Sequence, residues 1–138
     1  MKAIKNIFIL LIICAFATQY AGCSKDDSNP TNTEFLSKAW RIVSVTINGA
    51  ADTSTDYSAF RLTFTVDGSY TLASPDGTDT GTWAFNSNET SIVVDAGTTD
   101  EFTMTIIALA ASSLTIEFTE SGNFKTADEL NNWVMTPV

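Results

Sequence analysis

The sequence predicts an all-β domain that folds as an eight-stranded antiparallel up-and-down barrel. Residues favoured in strands dominate the chain beyond Ala39. Turn signals such as Asn48-Gly49 and Asp67-Gly68 recur at short intervals. The segment Phe60–Val66 alternates apolar and polar residues, as half-buried antiparallel strands do. Short connections favour pairing of sequence neighbours, and closure of the sheet removes its exposed edges. A two-sheet β-sandwich is the alternative.

The elements follow in order along the chain. Thr33–Lys38 predicts one helical turn, capped by Thr33, with Phe35 and Leu36 packed on the core. Asp67-Gly68 predicts a two-residue hairpin turn, and residues 74–79 predict a loop. The eight predicted strands are Ala39–Asn48, Phe60–Val66, Ser69–Ala73, Thr80–Asn86, Thr90–Asp95, Glu101–Leu109, Ser113–Thr119 and Leu130–Met135.

Alternation also assigns an inward face to the clearest strands. In the second strand the inward residues are predicted to be Phe60, Leu62, Phe64 and Val66. In the sixth strand they are predicted to be Phe102, Met104, Ile106 and Ala108.

The start of the chain resembles a bacterial lipoprotein signal peptide. Two lysines precede the apolar run Ile7–Ala17, which is too short to remain as a membrane-spanning helix, and Ala21-Gly22-Cys23 follows. The resemblance implies that Cys23 is lipidated and that cleavage occurs just before it. We expect residues 1–22 to be the signal peptide, 23–33 a flexible acidic tether and 34–138 the barrel domain.

The acidic pair Asp26-Asp27 after Cys23 resembles the export signal of Bacteroidetes surface lipoproteins. We therefore expect an outer-membrane lipoprotein exposed at the cell surface, held to the membrane by the lipid on Cys23.

Composition excludes several classes of function. Without residues 1–22 the chain has five basic and sixteen acidic residues, a net charge of −11, which excludes nucleic-acid binding. The sequence has no histidine, and neither of its two cysteines remains as a free thiol after cleavage and lipidation. Ser-His-Asp and Cys-His catalysis are therefore excluded, and we expect no enzyme activity, metal site or cofactor.

Within the predicted barrel, several segments resemble the lipocalin-like domain of Bacteroidetes lipoproteins, from about Leu36 to Met135. The opening strand with Trp40, the hairpin around Asp67-Gly68 and the Gly81-Thr82-Trp83 segment occur in the family's order. The resemblance implies a barrel whose floor is closed by Trp40.

The candidate ligand-binding residues have two interpretations. The aromatic residues, including Trp133, could line a ligand cavity or fill the core, and an eight-stranded barrel is just wide enough for side chains to fill it. Arg41 could hold a ligand carboxylate inside the barrel, or pair with an acidic neighbour and lock its base. The candidates are Trp40, Phe64, Tyr70, Trp83, Phe85 and Arg41.

The sequence thus predicts a lipid-anchored, non-catalytic binding protein for a small apolar or amphipathic molecule or a glycan. The alternative is a structural module with a filled barrel that contacts another envelope protein. An internal cavity above about 300 Å³ would favour the binding protein.

Overall fold

The computed structural model describes residues 29–120 and 128–138; residues 1–28, with Cys23 and the expected signal peptide and lipidation site, and residues 121–127 lie outside it. The described chain forms one short helix and nine strands. They are α1 (Asn32–Leu36), β1 (Ala39–Ile47), β2 (Ala50–Ala51), β3 (Arg61–Phe64), β4 (Ser69–Ser74), β5 (Gly77–Phe85), β6 (Ser91–Val94), β7 (Phe102–Ala110), β8 (Ser113–Glu120) and β9 (Glu129–Pro137).

Eight of these strands form a closed antiparallel barrel. From β3 to β9 each strand pairs with the next along the chain, and β1 pairs with β3 on one side. The other side of β1 pairs with β9, from Trp40 opposite Pro137 to Ile47 opposite Asn131, and this pairing closes the barrel. The two-residue β2 pairs with the last two residues of β1, whereas β3 pairs with the first three. The predicted all-β, eight-stranded up-and-down barrel is confirmed, and the sandwich alternative is wrong.

Helix α1 covers one end of the barrel. Its N-cap is Thr31, whose hydroxyl accepts the Glu34 N–H while the Glu34 carboxylate accepts the Thr31 N–H. The predicted cap, Thr33, lies instead inside the helix. Leu36 is fully buried, and its carbonyl accepts the Trp40 indole N–H at 2.9 Å. The sequence places a helix before β1; this reciprocal capping box fixes where it begins.

Two hydrogen bonds hold α1 and the residues that follow it against this end of the barrel. The Asn32 side-chain amide donates to Glu89, between β5 and β6, at 2.8 Å. Lys38 Nζ donates to the Ala111 carbonyl, between β7 and β8, at 3.0 Å. We call this the closed end. The opposite end, with the connections 48–60, 75–76 and 95–101, is the open end.

The core runs through the barrel and is densest toward the closed end. It is built from the inward faces of the strands together with Leu36 of α1. Its buried apolar residues are Leu36, Trp40, Ile42, Val45, Leu62, Phe64, Trp83, Ile92, Val94, Met104, Leu114, Ile116 and Met135.

A β-bulge changes the predicted face of β7. Ile106 lies opposite Ile116 and Ala108 opposite Thr115, so Ile107 is the extra residue. Beyond a bulge the alternation reverses. Ala108, predicted to face inward, is exposed, whereas Leu109 packs on the core. A similar irregularity in β1 leaves Val43 exposed between Ile42 and Ser44.

Turn geometry corrects two further expectations. Strand β3 ends at Phe64, so Val66 lies in the turn and is 75% exposed instead of facing inward. The turn holds three residues, 66–68, ended by Gly68 at φ +84°, where the predicted turn held two. The loop expected at 74–79 is shorter, because β4 extends to Ser74 and β5 begins at Gly77.

Candidate functional site

The open half of the barrel contains a cavity of about 320 Å³. It lies above the packed core and is reached from the open end. Its walls are the inward-facing side chains of seven strands and of the connection between β6 and β7. The lining residues are Leu62, Tyr70, Leu72, Asp79, Val94, Asp95, Asp100, Phe102, Met104, Phe118, Glu120 and Trp133.

Aromatic rings make one wall of the cavity. Phe118 meets Trp133 edge to face, with ring centroids 5.1 Å apart, and Phe102 lies 6.2 Å from Phe118. The indole N–H of Trp133 is buried and has no hydrogen-bond partner among the described groups. A buried donor without a partner is costly. This wall therefore combines apolar contact area with an unused hydrogen-bond donor.

Tyr70 and Asp95 form the main polar contact on the opposite wall. The Tyr70 hydroxyl donates to Asp95 Oδ2 at 2.9 Å, and Asp95 Oδ1 accepts the Thr82 backbone N–H at 2.8 Å. Burial, the hydrogen bond to Asp95 and nearby negative charge raise the pKa of Tyr70 to about 12. Tyr70 is therefore a neutral hydrogen-bond donor at physiological pH.

Gly81 makes room for this contact. A Cβ on Gly81 would lie far inside van der Waals contact with the Asp95 carboxylate. Asp95 itself has a positive φ of 51°, a conformation that Asp tolerates better than most residues. The glycine of the Gly81-Thr82-Trp83 segment thus lets the carboxylate lie against the strand backbone.

The cavity is acidic at its opening and contains no cation among its lining residues. Asp79, Asp100 and Glu120 are exposed there, and Asp95 is half-buried below them. Among the described cations, Lys38 is at the closed end, Arg41 is exposed on β1, and Arg61, at the start of β3, donates to the carbonyls of Ser58 and Phe60.

Of the aromatic residues predicted to line a cavity, the structure places Tyr70 and Trp133 in its wall. Trp40, Phe64 and Trp83 are buried in the closed half. The Trp83 ring lies 5.4 Å from Phe64 and 5.3 Å from the half-buried Phe85, and its N–H donates to the Thr65 carbonyl at 3.0 Å. Trp40, Phe64 and Trp83 are therefore part of the core, and Phe85 packs against it.

Arg41 lies on the outside of the barrel. It is exposed between the buried Trp40 and Ile42, opposite Arg61 of β3 and Thr136 of β9. The expectation that Arg41 reaches into the barrel is therefore wrong, because strand alternation turns the residue between two inward side chains outward.

Alternation predicts that most of the apolar cavity residues face inward, but it does not separate them from core residues. The acidic residues of the opening carry no such signal, because Asp79 falls in a predicted loop and Asp95 at the end of a predicted strand. The available signal was position: the lining residues lie toward the end of the barrel opposite the helix.

A broader hollow of about 450 Å³ lies between β1 and the segment 51–58. Its acidic groups are engaged locally. Asp52 accepts hydrogen bonds from Ser54 and Tyr57, which lower its pKa, and Asp56 accepts the Ser58 N–H. These contacts organise the connection itself.

The comparisons with known proteins point to one family. A model of the lipocalin-like domain matches residues 36–116, from the end of α1 into β8. No curated protein matches the chain. No helix in residues 29–120 and 128–138 is long and apolar enough to cross a membrane.

Proposed function

Because this chain belongs to the lipocalin-like domain family, we propose that it is a non-catalytic binding protein that holds a small apolar or amphipathic molecule in the open half of its barrel. The observation that carries the proposal is the cavity of about 320 Å³. This volume lies at the lower end of the range of small-molecule sites, roughly 300–1,000 Å³. It is about that of ten water molecules.

The walls suit an apolar ligand. Leucine, valine, methionine and aromatic side chains make most of the surface, and burial of apolar area contributes roughly 25 cal/mol per Å². The Tyr70 hydroxyl is already donated to Asp95, and the Trp133 indole N–H is buried without a partner among the described groups. A filled barrel, which the structural-module alternative requires, would leave no such space. The cavity therefore favours the binding protein, and an apolar molecule over a glycan.

The chemistry of the cavity supports a non-catalytic role. Its Tyr70 hydroxyl is held neutral by a pKa of about 12, and the Asp95 carboxylate already accepts two hydrogen bonds. A general acid or base works best with a pKa near the working pH. The Tyr70 hydroxyl is therefore poorly suited to transferring protons, and its hydrogen bond to Asp95 fixes the wall.

The same proposal places the protein on the cell envelope through lipid on Cys23, at the outer membrane and facing outward. Its support is the sequence alone: an apolar leader, small residues before Cys23 and an acidic tether after it. Metabolic labelling with an alkyne fatty acid tests it. We expect label on the wild-type chain and none on Cys23→Ala; equal labelling of both would contradict the anchor.

Ligand occupancy is tested by native mass spectrometry on the chain from Ser24 to Val138, which contains every strand of the closed barrel. We expect a co-purifying molecule of about ten to twenty non-hydrogen atoms, displaced by added 1-octanol. Substituting Met104→Trp should fill the cavity and abolish the adduct, whereas Val66→Trp, in an exposed turn, should retain it. Retention of the adduct by the Met104 variant would contradict binding in this cavity.

A further inference from the structure

Within residues 29–120 and 128–138, the charged residues that line the cavity opening are all acidic. Four carboxylates line it, on β5, on β8 and in the connection between β6 and β7: Asp79, Asp95, Asp100 and Glu120. No lysine or arginine is among the lining residues. Asp79 and Asp100 also contribute to raising the pKa of Tyr70, so their field extends to the cavity wall.

Residues 62–138 also carry a large excess of negative charge. Between Leu62 and Val138 the sequence has eleven acidic residues and one basic residue, Lys125, which lies outside the described residues. Clefts lined by one sign of charge concentrate ligands of the opposite sign. A fatty acid entering apolar end first would leave its carboxylate among these groups, where like charges repel.

From this combination of an apolar cavity with an acidic opening, we propose that the bound molecule is a cationic amphiphile, with its apolar part inside the barrel and a protonated amine at the opening. The inference rests on the proposed function, because it specifies the chemical class of molecule that the same cavity takes. Asp79 and Asp100 are the specificity-determining residues, being exposed at the opening rather than committed to the wall.

The apolar part and the charged group make different contributions. Burial of the hydrocarbon chain supplies affinity for any amphiphile of suitable length. The carboxylates discriminate between head groups, and since they are exposed, their effect weakens as salt shortens the Debye length from about 10 Å at 0.1 M to about 3 Å at 1 M. The selectivity between head groups should therefore fall as the salt concentration rises, whereas the affinity for the hydrocarbon chain should not.

Three probes of equal chain length separate these contributions: octylamine, 1-octanol and octanoate, titrated by calorimetry at pH 7 into the chain from Ser24 to Val138. We expect octylammonium to bind at least about tenfold more tightly than octanoate at low salt, with 1-octanol between them, and the ratio to shrink at 1 M salt. The fluorescence of Trp133, in the cavity wall, gives a second readout.

Charge-removing variants test the assignment of the residues. The double variant Asp79→Asn with Asp100→Asn should bring the octylammonium and octanoate affinities within about threefold of each other and leave 1-octanol unchanged. Glu89→Gln, at the closed end of the barrel, removes one charge far from the opening and should keep the wild-type ratio. Circular dichroism verifies that each variant retains the strand spectrum of the wild type.

The outcomes distinguish the two proposals. If 1-octanol and octanoate bind as tightly as octylammonium, or the double variant keeps the wild-type ratio, the cationic preference is overturned while the binding function stands. If none of the three probes binds, the proposed function is overturned as well.

Discussion

At the scale of single residues, the contact between Gly81 and Asp95 explains why a strand of this barrel carries a glycine. The carboxylate occupies the position of the missing side chain and accepts hydrogen bonds from Tyr70 and Thr82. The Gly-x-Trp segment is readable from the sequence. The reason for its glycine is not, because Asp95 is fourteen positions away and meets Gly81 only once β5 and the end of β6 are side by side.

Gly81→Ala should therefore destabilise the fold by about 1–3 kcal/mol, the usual cost of inserting a methyl group where no space exists. Denaturant unfolding measures it. In an Asp95→Ala background, the same substitution should cost less, because the clashing carboxylate is gone. Equal costs in both backgrounds would show that Asp95 is not the obstacle.

Tyr70 predicts how stability responds to alkali. Its pKa is raised from 10 to about 12 in the folded state, so its neutral form stabilises the fold fully below pH 10. Between pH 10 and 12 the unfolded chain loses this proton first, and stability falls as pH rises. Ultraviolet titration should show a late tyrosine transition near pH 12 that Tyr70→Phe removes and Tyr57→Phe retains. Retention of that transition in the Tyr70 variant would contradict the assignment.

At the scale of elements, alternation in the sequence predicts where strands lie and fails where a strand contains an extra residue. The bulge at Ile107 has no local signature in the sequence. Adjacent apolar residues in Thr103–Leu109 allow either face of the strand to be the inward one. The cross-strand register with β8 decides which residues face inward. The length of the turn at 66–68 likewise depends on a pairing across the hairpin, that of Thr65 with Ser69.

The bulge predicts that Leu109, and not its neighbour Ala108, contributes to stability. Ala108→Asp should change stability by less than about 0.5 kcal/mol, because Ala108 is exposed. Leu109→Ala should cost about 1–2 kcal/mol, less than the roughly 2–5 kcal/mol of a fully buried leucine, because Leu109 is only partly buried. Thermal unfolding of both variants checks it, and the reverse ranking would restore the unbroken alternation.

Helix α1 is the element that makes the two ends of the barrel different. Leu36→Ala should cost about 2–5 kcal/mol, since Leu36 is fully buried beneath Trp40. The affinity for 1-octanol should change little at temperatures where the variant is folded, because the cavity lies at the opposite end. A loss of affinity in parallel with stability would mean that the two ends are coupled. The matched control is Phe35→Ala, which truncates the half-buried residue next to Leu36.

At the scale of the whole molecule, the barrel follows from patterns that operate along the entire chain: alternation, short turns and the order of apolar segments. The cavity does not follow from them, because a lining residue and a core residue have the same apolar, inward-facing character. Trp133 lines the cavity and Trp83 is in the core because they lie at different positions along the barrel axis. That position depends on the tilt of the strands and on which end the helix covers. The aromatic residues predicted for a ligand mostly fill the closed half for this reason.

The central claim is that the open half of the barrel, not its core, receives the ligand, and the two methionines of the barrel test it most directly. Met104 lines the cavity, whereas Met135 is fully buried beside Leu114 toward the closed end. With both methyl groups labelled with ¹³C, saturating 1-octanol should shift the Met104 signal and give it nuclear Overhauser contacts to the alkyl chain. Met135 should keep its position and show no such contacts. Alkyl contacts at Met135, or none at Met104 when calorimetry detects binding, would contradict the claim.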